Sequence, residues 1–260
     1  MMTTIEPREL NCPVCATTFA AQVLTSTNTL GMRTTDLRTL AAGFQPQEFI
    51  VHTCPTCGYS GESDQFLSVG HVVPSVRIDA EMTARIRSSI TPLVQRGKID
   101  AARRWELAAW VTEWSGAPDE DIAWHYLNAA WCCQDMRAMD EAARVGGLPR
   151  PSHDTVADTQ PPMEDDAMNE AQPLAVGDLA DRERQYRRYA AARFERMLSA
   201  ADIADDDREM YTYLIGELYR RAGDQRAAAR WFTRVGDGDS EWVALARRQR
   251  SDPTEMIQTS

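Results

Sequence analysis

The sequence is short of positive charge: 28 lysines and arginines face 39 aspartates and glutamates, a formal net charge of −11. A protein that grips a phosphate backbone presents a basic patch that displaces counterions, so this balance argues against nucleic acid as a partner. The chain opens MMTTIEPREL, without a cationic start followed by an apolar run, and so reads as neither a secretory signal nor a transit peptide. No stretch approaches the roughly 18 to 20 uninterrupted apolar residues that a membrane span requires. A cytoplasmic location is expected, with no membrane contact. Also missing are a phosphate-cradling glycine loop, a nucleophile elbow and an HExxH helix. These absences leave no residue to name as catalytic and none to name as binding an organic cofactor.

What is present suffices for a folded core. The chain has 260 residues, 43% of them apolar, and needs no disulfides to stay folded. In a reducing compartment its six cysteines point to metal or redox chemistry before cross-links.

The texture changes along the chain. Residues 1–72 are rich in Thr, Val and Phe, with short apolar stretches such as EFIVHT that suit short strands. Residues 75–147 take a helical period, which returns over 179–250. Between them, 148–178 is loaded with Pro, Asp and Glu and nearly empty of aromatics, and reads as an acidic flexible linker or insertion. Residues 251–260 read as a disordered tail. The fold class expected is α+β, mainly α, with a small zinc-ribbon-like β module ahead of an all-helical domain.

Within the helical parts, Ile78, Met82, Ile86 and Ile90 share one face, with a distortion expected at Pro92 and a stop at Gly97. A second helix is expected over about Asp100 to Ser115, and a third after Pro118 and Asp119. Tyr211, Leu214, Ile215, Leu218 and Tyr219 form an apolar stripe, and Ser240 is placed to cap a last short helix. The stretch YTYLIGELYRRAGDQRAAARWFTRV resembles one tetratricopeptide repeat, with Gly216 and Ala228 small where two helices approach and Tyr219 and Phe232 filling the space beside them. The competing reading is any helical hairpin.

The sharpest signal is a pair of thiol motifs, CPVC at 12–15 and CPTC at 54–57. Each Cys-x-x-Cys turn offers two sulfurs from a tight loop, and two such loops together complete a tetrahedral four-sulfur site with Zn–S distances of about 2.3 Å. Gly58 can take the left-handed conformation such a loop needs, and Pro13 and Pro55 restrict its φ. Cys12, Cys15, Cys54 and Cys57 are therefore the expected ligands of Zn2+. A site of this kind contributes about 10–16 kcal/mol of metal-coupled folding free energy. Iron in a rubredoxin-like site uses the same four thiolates and stays open, as does thiol redox chemistry.

CPVC followed by Phe19, then Arg33 and Asp36, then Pro46, Phe49, Val51 and CPTCGYS, resembles the bacterial domain-of-unknown-function family 2225. The resemblance covers most of the chain except the acidic insertion. It implies a cysteine-rich N-terminal module joined to a helical, tetratricopeptide-like region, and it supplies no reaction. The functional expectation is a zinc-binding adaptor whose helical domain offers a groove to a protein or peptide. The alternatives are a thiol-redox or electron-transfer protein and a nucleic-acid-binding zinc ribbon.

Other candidates weigh less. Cys132 and Cys133 are adjacent in a helical pattern, about 100° apart, and read as core residues. His52 could face the metal site from a strand, although packing is its ordinary role. His71, His125 and His153 are too scattered to form a ligand set. The tryptophans concentrated between 105 and 131 are core residues first, with an exposed subset as a conceivable partner anchor. The acidic runs at 164–166 and 205–207 fall in the linker and ahead of a helix, and GDGDS at 236–240 lacks the spacing of a calcium loop.

Overall fold

Two hairpins open the chain. In the computed structural model, which describes residues 3–28, 30–66, 78–146, 176–200 and 203–257, β1 (Thr4–Asn11) pairs antiparallel with β2 (Thr18–Ser26), and β3 (Val51–Thr53) with β4 (Ser60–Glu62). The turn of each hairpin is one Cys-x-x-Cys motif. The two hairpins form separate two-stranded sheets, and a sheet this small gains little stability on its own.

The first helical segment has three pieces, α1 (Ala80–Arg85), a π turn (Ile86–Ile90) and α2 (Thr91–Gln95). Asp79 caps it by accepting from the Met82 N–H at 2.8 Å. The distortion expected at Pro92 falls just before it. Pro92 has no N–H to give, and the Thr91 N–H reaches back five residues to the Ile86 carbonyl. The helices α3 (Ala101–Trp114), α4 (Asp119–Gly146), α5 (Val176–Ala200), α6 (Asp205–Arg221), α7 (Gln225–Arg234) and α8 (Glu241–Ser251) follow. Asp100, Asp224 and Ser240 cap α3, α7 and α8. The mainly helical α+β class read from the sequence is borne out.

α6 and α7 pack as a helical hairpin across a close approach at Gly216, where a Cβ would lie 2.7 Å from the Phe232 ring. No helix among the described residues is long and apolar enough to cross a membrane. Residues 147–175, most of the expected acidic linker, lie outside the described residues; 176–178 belong to the first turn of α5.

There are two apolar cores, and α3 serves both. Leu107 and Val111 turn toward the N-terminal module, against Leu10, Val23, Tyr59, Phe66, Met82, Ile86 and Ile90. Trp105, Ala108 and Ala109 turn toward α4 and α5. A helix buried on two sides shows no single polar face, so α3 carries little amphipathic signal.

A polar loop joins the module to the helices. Between β2 and β3 the chain carries Thr34, Thr35, Asp36, Leu37 and Arg38, all buried. Asp36 accepts from Thr34 Oγ1 at 2.6 Å, from the Trp131 indole N–H at 2.8 Å and from Arg187 at 2.5 Å. Burial alone would raise the Asp36 carboxyl, but the Arg187 and Arg221 guanidinium groups outweigh it and hold it well below the usual carboxylate range. Thr35 donates to Glu217 at 2.6 Å, and Arg38 grips Asp135 at 2.9 and 2.5 Å. Sequence alone suggests that 75–260 could stand as a helical unit, yet without this loop Arg187 and Glu217 would lie buried without these partners.

The tail read as disordered is fastened as far as Ile257. The Thr35 N–H donates to the Glu255 carbonyl at 3.0 Å and the Ile257 N–H to the Arg33 carbonyl at 2.9 Å, while Arg221 pairs with the Glu255 carboxylate at 2.6 Å. Its few apolar residues gave no sign of this, because backbone pairing, the ion pairs of Glu255 with Arg220 and Arg221, and the Gln249 amide bonded to Thr254 do the fastening.

Candidate metal centre

Both thiol turns are built alike. In the first, the Cys12 N–H donates to the Thr17 carbonyl and the Ala16 N–H to the Cys12 carbonyl, each at 2.9 Å. In the second, the Cys54 N–H donates to Tyr59 at 2.8 Å and the Gly58 N–H to Cys54 at 2.9 Å. The fourth residue after the leading cysteine of each turn is left-handed, Ala16 at φ 59° and Gly58 at φ 82°. Glycine is required at 58 for a second reason: α2 lies against that turn, with Thr91 Oγ1 donating to the Cys57 carbonyl at 2.7 Å.

The two turns bring the Sγ atoms of Cys12, Cys15, Cys54 and Cys57 within 4.8 Å of one another. The Cys12–Cys57 and Cys15–Cys54 contacts, both at 3.5 Å, run across the turns. Four sulfurs about 2.3 Å from a shared ion stand about 3.8 Å apart in a tetrahedron, so the cluster fits a thiolate-bound metal closely. Cys12, Cys54 and Cys57 are buried and Cys15 is half-buried, linked through Thr17 to Thr56 on the other turn. All six cysteines are free.

Mutual contact sets the protonation of these thiols. The hydrogen bond with Cys12, then that with Cys57, pulls Cys54 below the ordinary thiol value. The contact with Cys54 pushes Cys12 up, and the contact with Cys12 pushes Cys57 up. Negative charges this close cannot all form unaided, whereas a divalent cation makes deprotonation of the whole set favourable.

His52 is not among the clustered ligands and packs against Phe66. Its ring meets Phe66 edge-on at 6.3 Å, and burial, with Arg104 second, pushes it down to about 4. Cys132 and Cys133 are buried on α4, with desolvation lifting Cys133 to about 12 and Cys132 well above the ordinary value, as suits inert core residues. Of the seven tryptophans Trp105 and Trp131 are buried and the other five are half-buried, Trp231 and Trp242 among them on the last two helices. His71 and His153 lie outside the described residues, and His125 packs against Trp105. Sequence reading missed Thr91, Thr17 and Thr56, which brace the centre, because isolated threonines carry no motif.

Fold and site together define a mainly helical α+β protein with an N-terminal four-cysteine cluster able to hold a metal ion. The chain belongs to the family described as an uncharacterized protein conserved in bacteria (DUF2225), whose model matches residues 5–241. No curated protein and no solved structure matches it.

Proposed function

We propose that this chain is a zinc-organised interaction protein, with a structural Zn2+ held by Cys12, Cys15, Cys54 and Cys57 and partner binding carried by the helices. The observation that supports it most is the convergence of four thiols, from two turns of equal geometry, within 4.8 Å. Four thiolates fill a tetrahedral ion and leave no open position for substrate, which favours a structural role. The close approach of α6 and α7 at Gly216 and Phe232, which a tetratricopeptide-like hairpin requires, supports the interaction half. Free thiols suit a reducing compartment such as the cytoplasm.

The groove expected for a partner needs revision in one respect. The inner faces of α4, α5 and α6 already hold the chain's own Thr34–Arg38 loop, so a partner is better sought on an outer surface. Electron transfer by thiolate-bound iron is the second reading, favoured by the same four-sulfur geometry.

Metal content and thiol reactivity of the reduced, untagged protein test this. About one zinc per chain, with the four cysteines protected from alkylation until a chelator is added, supports the reading. Bound iron, or a metal-free protein with a reversible disulfide among the four, overturns it in favour of redox work.

A further inference from the structure

Arginines on α5 and α6 generally meet carboxylates. Arg182 pairs with Asp100, Arg187 with Asp36, Arg193 with Glu113 and Asp119, and Arg220 and Arg221 with Glu217. The last helical hairpin differs. Arg226, Arg230 and Arg234 on α7 and Arg247, Arg248 and Arg250 on α8 form no ion pair among the described residues. Arg234 lies over the Trp231 ring, 4.5 Å from its centroid, and Arg247 donates only to the Asp237 backbone carbonyl. The acidic residues of this stretch, Asp237, Asp239 and Glu241, sit at the connection between the two helices.

Arg226, Arg230 and Arg234 are four residues apart, so they form one stripe, with about 6 Å of rise between neighbours. All three are exposed, while Ala227, Ala228 and Phe232 face inward. Helix energetics explains part of this placement. Arg234, Arg248 and Arg250 sit in last turns, where a cation is favoured. Arg226 sits in the first turn of α7, where a cation is disfavoured, and Arg230 stands mid-helix. In a chain of net charge −11, unpaired cations gathered on one hairpin are a segregated surface rather than an average one.

We propose that the α7 stripe Arg226, Arg230 and Arg234, flanked by α8, docks an acidic segment of a partner protein. Carboxylates four apart on a helix, or on alternate residues of an extended strand, recur at roughly 6 to 7 Å and match the stripe. The half-buried Trp231, stacked under Arg234, adds a flat apolar plate of the kind that anchors interfaces. Charge reach favours a short acidic peptide over nucleic acid. Beyond a screening length of about 8 to 10 Å the stripe is not felt, and a long polyanion would also meet the acidic remainder of the chain. The proposal rests on the interaction half of the function given above and names its surface and partner class.

Binding is read by fluorescence anisotropy on the full-length, metal-loaded protein at low salt. The probes are a short labelled peptide of alternating glutamate and alanine, the same peptide with glutamine for glutamate, and a single-stranded oligonucleotide of equal charge. The expected result is tighter binding of the glutamate peptide than of either control. It should weaken as salt rises and fall about tenfold or more in R226E/R230E/R234E. Equal circular dichroism and melting temperature show that the variant is folded, and R226Q/R230Q/R234Q serves if it is not. No binding, or equal binding by wild type and folded variant, overturns the proposal. Tighter binding of the oligonucleotide overturns it in favour of a nucleic-acid surface. A zinc-loaded protein that ignores the peptide leaves the metal reading standing, whereas a protein without zinc sinks the metal reading whatever the peptide does.

Discussion

Gly58 and Ala16 occupy the same place in the two thiol turns, and swapping their residue types should give unequal results. In Gly58→Ala a Cβ would stand 2.5 Å from Ile90 Cγ2 and 2.7 Å from Val94 Cγ2, closer than any real contact, at a backbone φ of +82°. Left-handed strain costs about 1–2 kcal/mol. Loss of glycine freedom in the unfolded chain returns about 0.4–1 kcal/mol. Forcing the methyl against α2 adds about 1–3 kcal/mol. The net is a destabilisation of roughly 1–5 kcal/mol. Ala16→Gly relieves strain of the same size and loses the unfolded-state term, leaving a change between zero and about 1.5 kcal/mol in the stabilising direction. Urea unfolding followed by tryptophan fluorescence, at fixed excess zinc, measures both. A Gly58→Ala protein as stable as wild type would refute the packing of α2 on the second turn. Val94→Ala should recover part of the loss in the double variant, and strict additivity would locate the strain elsewhere.

Asp36→Ala leaves buried Arg187 with Glu183 as its one remaining carboxylate and strands the Trp131 indole N–H, and should cost about 3–5 kcal/mol, read by denaturant unfolding. Because the folded Asp36 is held below its unfolded value of about 3.9, its contribution is present above that pH and is lost as pH falls further; Asp36→Asn should flatten this acid limb. Trp131→Phe removes one donor to the same carboxylate and should cost about 1.5–3 kcal/mol, with a smaller loss pointing to a water in its place. A chain ending after Ser251 loses the backbone bonds from Thr35 and Ile257. It should unfold roughly 1–3 kcal/mol more easily, with faster amide exchange at residues 33–38; unchanged exchange there would refute the fastening.

The sequence by itself determined the local features. Two Cys-x-x-Cys motifs specify two tight turns, since the sulfurs, the proline between them and the left-handed position at 58 all lie within five residues. Ser240 as a cap and Gly216 at a close helix approach were legible for the same reason, because caps and periodic stripes are near-neighbour effects. The family motif also placed Arg33 and Asp36 on the page, though without a role for either.

Tertiary structure decided what depends on distant partners. Asp36 meets Trp131 and Arg187, 95 and 151 positions away, and no local pattern signals such a pairing. The helical region and the thiol module looked separable in sequence because a polar loop reads as surface. It is buried here because each of its charges finds an opposite charge on α4, α5 or α6. The tail from Thr254 to Ile257 likewise gains its order from distant partners, through backbone carbonyl and amide groups every sequence possesses and the pairing of Glu255 with Arg220 and Arg221. The four thiols needed both levels, since the motifs fix each pair and only the packing of one hairpin beside the other, braced by α2, brings the pairs within 4.8 Å.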